Sequence, residues 1–144
     1  MKRRIRDDPF IDTNVIVYAF GQGDRRKDVA RGLLANGGAT GVQNLNEFVG
    51  VARRKLQMTW EEISDALQAV KTLFPAPVPL TLAVHEAGVR IAAQHGYGIF
   101  DALVIAAALE NGSRVLYSED MQDRQVIEGL EIRNPFGPAG TNPE

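Results

Sequence analysis

The sequence predicts an α/β fold, a three-layer α/β/α sandwich around a mostly parallel sheet, on three observations. Short apolar runs alternate with longer segments whose apolar residues recur every three or four positions, so strands alternate with helices. Phe10-Ile11 and residues 114–117 read as buried strands, which a sheet covered on both faces requires. Residues 100–111 are apolar on nearly every side (Ala102, Leu103, Val104, Ile105, Ala106, Ala107, Ala108, Leu109), as expected of a central helix buried all round.

Each element follows from local signals. Phe10-Ile11 leads into Asp12-Thr13-Asn14, three good capping types in a row, and an apolar run resumes at Val15. That pattern is a buried strand presenting Asp12 at its carboxyl end, with a helix beginning directly after it. Residues 24–36 form a helix with Val29, Leu33 and Leu34 on one side and Arg25, Arg26, Lys27 and Asp28 on the other, closed by Gly37-Gly38. Residues 39–43 read as a weak second strand. Asn44 then caps a helix over 44–56 with the stripe Leu45, Phe48, Val49, Ala52 and Leu56. Thr59 with Glu62 forms a capping box for a helix carrying Ile63, Ala66, Leu67, Val70 and Leu73. Pro75-Ala-Pro77 breaks it. A short strand follows at 78–80, then an amphipathic helix over 81–95 stopped by Gly96, the central helix ended by Gly112, and strands at 114–117 and 130–132. Residues 1–8 read as a loose basic arm, 9–136 as one domain, and the chain from Asn134 as a Pro- and Gly-rich tail occupying 137–144 beyond that domain.

Bulk composition narrows the classes of function. A chain of 144 residues, 44% hydrophobic and 24% charged, fits one globular domain. Its net charge of −2 gives no global pull on nucleic acid, so any such contact rests on local patches. The absence of cysteine excludes disulfides and thiolate metal sites and fits a cytoplasmic protein. His85 and His95 are too few and too far apart for an ordinary zinc site. No apolar run reaches the length of a membrane span, and the basic N-terminus lacks the apolar stretch of a secretory signal.

Four acids fall at element ends that a parallel βα sheet turns to one edge, where ligands of such sheets bind. Asp12 ends the first strand, Glu47 lies in the first turn of the helix from Asn44, Asp101 opens the central helix, and Asp120 follows Val115-Leu116-Tyr117, just past Ser118. Bland roles compete: a capping box for Asn44 and Glu47, a helix dipole for Asp101, a turn for Asp120. Asp12 is hardest to explain that way, because a near-buried acid needs a partner. Two unit charges about 4 Å apart repel by roughly 4 kcal/mol at an effective dielectric near 20, so converging carboxylates take up protons or hold a cation. With oxygen donors and no cysteine or nearby histidine, the fitting ions are Mg²⁺ or Mn²⁺, which suit metal-assisted hydrolysis of a phosphodiester.

Phe-Ile-Asp12-Thr-Asn, Leu45-Asn-Glu47-Phe, Ile99-Phe-Asp101-Ala-Leu and Tyr117-Ser-Glu-Asp120-Met-Gln together resemble the four acidic motifs of PIN-domain ribonucleases, and most closely VapC-type toxins of toxin–antitoxin pairs. The likeness runs from Phe10 to Phe136. It implies a Mg²⁺-dependent endoribonuclease with a PIN-like fold, acting on RNA, homodimeric and inhibited by a cognate antitoxin. It assigns Asp12, Glu47, Asp101 and Asp120 as metal-binding and catalytic acids. Asp12 and Asp101 are the direct ligands expected, with Glu47 and Asp120 acting partly through water. Asn14 and Ser118 become polar supports, with Asp123 a further candidate. Two departures stand out: Arg124 sits where the resemblance leads one to expect glycine, and the Gly21-Gln-Gly23 loop is more flexible in composition than expected.

Arg53-Arg54-Lys55, together with Arg25-Arg26-Lys27, offers cations for RNA phosphates. Trp60, beside a helix cap, reads as core or staple, and His85 as a helix-surface residue. The apolar stripes of the first two long helices extend past what one subunit covers, suggesting a dimer or antitoxin groove. Two rival readings fit less well. A phosphotransfer or phosphatase domain using Asp12 needs a second acid where Asn14 stands, or a later lysine, and no lysine follows Lys71. A non-catalytic RNA- or protein-binding module on the same fold predicts missing acids, and none is missing.

Overall fold

The computed structural model describes residues 8–137. The predicted arm and tail lie outside the described residues except at their inner edges. The elements run β1 (Phe10–Ile11), α1 (Thr13–Phe20), α2 (Arg25–Ala35), α3 (Val42–Arg54), α4 (Trp60–Leu73), α5 (Leu82–His95), α6 (Ile99–Asn111), β2 (Val115–Tyr117), β3 (Val126–Ile127) and β4 (Leu130–Arg133).

The sheet order is β1-β2-β4-β3. β1 pairs parallel with β2, and β2 with β4; only the β3–β4 edge is antiparallel. Alternation along these short strands sorts side chains to the two faces. Phe10, Leu116, Leu130 and Ile132 face the α5–α6 side, and Ile11 and Tyr117 face α1–α4. The predicted α/β/α sandwich is therefore what forms. α6 is buried from Ala102 through Leu109, which explains a helix without a polar face. Gly88 of α5 lets α6 come close, since a methyl group there would meet Leu103 Cδ2 at 2.8 Å. No single helix among the described residues is long and apolar enough to cross a membrane.

Several boundaries differ from expectation. Residues 39–43 and 78–80 are not strands but single bridges, Ala39 beside Phe10 and Gly41 beside Val78. They still extend the sheet past β1, through Ile11 N–H to the Ala39 carbonyl at 2.8 Å and Val78 N–H to the Thr40 carbonyl at 2.9 Å. β3 was not predicted. It forms because Glu128 (φ 50°) and Gly129 (φ 89°) make the left-handed two-residue turn that joins antiparallel strands. Phe136, in the stretch read as the start of a tail, is buried and stacks edge-on against Tyr18 at 4.9 Å.

Trp60 is neither core nor staple, being 62% exposed with the Arg53 guanidinium 4.8 Å above its ring. His85 lies at the surface as expected. The stripes on α2 and α3 end in half-buried Val29, Leu33, Leu45 and Val49; the exposed large apolar side chains lie mainly at Leu80, Leu82, Val89, Ile99 and Phe100 instead.

Candidate active site

β1 delivers Asp12 by backbone pairing on both sides, and the Asp12 N–H donates to the Tyr117 carbonyl at 3.0 Å. Asp12 is also the N-cap of α1, its Oδ1 accepting from Thr13 N–H at 2.7 Å. The same oxygen accepts from Asn44 Nδ2 at 3.1 Å. Oδ2 accepts from Ser118 Oγ at 2.7 Å and Asn14 Nδ2 at 3.4 Å. Four donors thus surround a carboxylate that is only 4% exposed. Burial pushes its pKa up to about 7 against the pull of the Ser118 and Thr13 hydrogen bonds, and the charges of Glu47 and Asp101 add to the rise.

Asp120 is tied to the same group through Asn14, whose Nδ2 donates to Asp120 Oδ2 at 3.0 Å and to Ser118 Oγ at 3.3 Å. The Asn14 Oδ1 accepts from Glu119 N–H at 3.2 Å, and Ser118 Oγ from Asp120 N–H at 3.2 Å. Asn14 and Ser118 therefore bridge the first strand end to the loop after β2.

Glu47 enters from α3. That helix begins at Val42 with Gly41 as its cap, so Asn44 is the third helical residue and Glu47 lies in the second turn. The predicted Asn44 cap with Glu47 in the first turn is thereby corrected. Glu47 Oε2 accepts from Thr13 Oγ1 at 3.2 Å and Oε1 from Gln43 Nε2 at 3.0 Å. Asp101 sits in the first turn of α6 after Gly98, and among the described residues its carboxylate makes no hydrogen bond or ion pair. Its pKa is raised by burial first, then by the charges of Asp120 and Glu47.

The four acids therefore share one electrostatic field, through Asp12 with Glu47 and Asp101, and Asp101 with Asp120 and Glu47. As the side chains stand, no three His, Cys, Asp or Glu among the described residues are grouped closely enough to hold one ion. Like charges oppose closer approach. The donors are nevertheless of the right kind, because hard oxygens, with Asp101 free of partners among the described residues, suit Mg²⁺ or Mn²⁺.

Asp123 is not drawn into this group. It is exposed, and its Oδ1 accepts from Asn134 N–H at 2.8 Å, closing the loop before the C-terminal stretch. Arg124 itself adopts the left-handed backbone (φ 70°) that favours glycine, with its N–H on the Ile132 carbonyl at 2.7 Å. Arginine thus occupies a glycine-type turn.

The proposed phosphate-binding cations are partly committed elsewhere. Arg53 donates to the Met58 carbonyl at 3.0 Å and lies over Trp60. Arg26 lies 3.7 Å from Glu119 and 3.2 Å from the Tyr18 hydroxyl, which itself donates to Glu119 at 2.8 Å. Arg54 and Lys55 are exposed and make no ion pair among the described residues. Sequence reasoning missed Thr13, Gln43 and Asn44 as site residues. Polar residues at a helix start read as caps, and only the structure shows that they also reach the acids.

Among curated proteins there is no sequence match. Solved structures are similar in fold. VapC20 of Mycobacterium tuberculosis, described as a sarcin-ricin loop cleaving toxin, matches at 21% identity and TM-score 0.63 over 78% of this chain and 90% of its own. A toxin–antitoxin complex from Klebsiella pneumoniae matches at 18% and 0.69 over 90% and 98%. FitAcB from Neisseria gonorrhoeae matches at 18% and 0.63 over 88% and 97%. At such identities the likeness establishes the fold. The sequence itself matches the PIN domain over residues 10–126, and the chain therefore belongs to the PIN domain family.

Proposed function

We propose that this chain is a metal-dependent endoribonuclease of the VapC kind, the toxin of a toxin–antitoxin pair, acting on RNA in the cytoplasm as a homodimer held in check by an antitoxin. The observation that carries the reading is Asp12, a buried carboxylate gripped by four donors, whose pKa is raised by burial first and then by the charges of Glu47 and Asp101. Keeping an anion there is costly, and a fold needing only a helix cap has cheaper residues for the purpose. The description of VapC20 as a sarcin-ricin loop cleaving toxin, and the toxin–antitoxin complex from Klebsiella pneumoniae with a similar fold, support the same reading.

Asp12, Asp101, Glu47 and Asp120 would hold Mg²⁺ or Mn²⁺. When bound, the ion would neutralise the acids and act as a Lewis acid toward the phosphodiester. The residues around it have separate tasks. Ser118 and Asn14 fix the Asp12 and Asp120 carboxylates relative to each other, while Thr13 and Gln43 fix Glu47. Arg54 and Lys55, seven and eight residues beyond Glu47, lie about 10–12 Å along the axis of α3, within reach of neighbouring phosphates.

The test is incubation of RNA with the wild-type chain and Asp12→Asn, in Mg²⁺ or Mn²⁺ and in chelator. Cleavage is expected only for wild type with metal. Cleavage that ignores both substitution and chelator would end this reading.

A further inference from the structure

Asn44 is completely buried, yet its side chain touches the site at more points than any cap requires. We propose that Asn44 is a positioning residue that couples Asp12 to Glu47 through the hydroxyl of Thr13, an inference resting on the nuclease reading above.

The Asn44 amide nitrogen carries two hydrogens and faces two acceptors, Asp12 Oδ1 and Thr13 Oγ1, each at 3.1 Å. Thr13 Oγ1, already accepting from Asn44, directs its single hydrogen to Glu47 Oε2 at 3.2 Å, the alternative being the more distant Asn44 carbonyl at 3.5 Å. An ionised carboxylate only accepts. The direction of the chain is therefore fixed, from amide to hydroxyl to Glu47.

The amide cannot turn over. Its Oδ1 accepts from Gly41 N–H at 3.2 Å, so a flip would set donor against donor at Gly41 and oxygen against oxygen at Asp12. Gly41 permits this close fit, because a Cβ there would lie 3.1 Å from Asn44 Oδ1. One amide thus orders two acids that arrive on different elements, the end of β1 and α3. Capping Gly41 uses only the oxygen, so the nitrogen's two bonds need another explanation.

The test uses the full chain with Asn44→Leu, which keeps the approximate shape but no donor, and with Thr13→Val and Thr13→Ser. The readouts are apparent Mn²⁺ affinity, from the rise of melting temperature on titration, and the kcat and KM of RNA cleavage. Loss of a residue that orients metal-binding groups costs about 10- to 100-fold in affinity or activity. Asn44→Leu and Thr13→Val are accordingly expected to lose at least about tenfold in Mn²⁺ affinity and kcat, with KM for RNA within about twofold of wild type. Thr13→Ser should restore both, and the double variant should be little worse than either single one, as for residues in one chain of contacts. A lost cap alone would lower the melting temperature and leave affinity and kcat intact, which would overturn the proposal. Should Asn44→Leu fail to fold, the Thr13 pair decides. Wild type that binds Mn²⁺ but leaves RNA uncut would end the nuclease reading alone, since coupling is still read in metal affinity. Wild type indifferent to Mn²⁺ would overturn both.

Discussion

Asp12 and Asp101 feel each other's charge yet are held in opposite ways. Asp12 is sealed at the end of β1 with two donors on each oxygen; Asp101, at the start of α6, is partly open to solvent and has no hydrogen-bond partner among the described residues. Burial raises both, but only Asp12 is compensated by the Ser118 and Thr13 hydrogen bonds. Preorganised donors fix an anion's position, and they do not restore the hydration it has lost. One acid is therefore fixed by four donors, the other half-buried and held by none among the described residues. Such acids are expected to trade stability for function.

The largest expected effect follows from the rise at Asp12. Its folded pKa, about 7, lies above the ordinary 3.8, so the folded state holds the proton more tightly than the unfolded chain. The resulting stabilisation is fully present below about pH 4 and is lost as pH climbs through about 7. About three pKa units correspond to about 4 kcal/mol. In chelator, the unfolding free energy of wild type should fall across that window more steeply than that of Asp12→Asn. Equal slopes would remove Asp12 as the cause. Asp101→Asn should shift stability in the same direction by less, because its carboxylate keeps contact with water. A larger gain at Asp101 than at Asp12 would reverse the contrast between the two acids.

Metal should act in the opposite sense to pH. Millimolar Mg²⁺ or Mn²⁺, binding only the folded chain, should stabilise wild type by about 2.7 kcal/mol at one hundred times the dissociation constant and so raise its melting temperature. Asp12→Asn should lose most of that gain. An unchanged melting temperature in wild type would count against a cation at these acids.

Changes away from the acids should move stability without moving its pH slope. Gly88→Ala places a methyl group 2.8 Å from Leu103 Cδ2 and 3.4 Å from its Cα, and should cost about 1–3 kcal/mol by overpacking α5 on α6. Thermal unfolding at two pH values checks both halves of that statement. The smallest effect is expected at Arg124. Glycine there relieves a positive φ but forfeits a 3.6 Å pairing with Glu131 at the surface, leaving stability unchanged or raised by at most about 1 kcal/mol. A clear loss would mean that the arginine contributes more than its backbone costs.

How far the sequence is legible follows from how local each signal is. α6 and the parallel sheet are readable because burial on all sides leaves a continuous apolar record. Thr59 with Glu62 forms the predicted capping box, since both partners lie within one turn. The α3 start is misread because Gly41 caps it without a side chain, leaving Asn44 as the visible candidate. β3 is hidden because its turn is Glu-Gly, a poorer match to the left-handed type than Asn-Gly or Asp-Gly. Asp12, Asn14, Ser118 and Asp120 are linked by hydrogen bonds as the motif order suggests, whereas the carboxylate of Asp123, three residues past Asp120, is taken by Asn134 N–H. The polar residues that orient Glu47 are out of reach of sequence reasoning, because a capping residue and a carboxylate holder look alike until the chain is folded.

The most direct measurement is a paired one on Asp12→Asn at pH 8, recording unfolding free energy in chelator and RNA cleavage in Mg²⁺. A folded protein more stable than wild type that no longer cuts RNA is the expected result. A variant that is less stable than wild type, or that still cuts, would contradict a buried anion kept at a cost for catalysis.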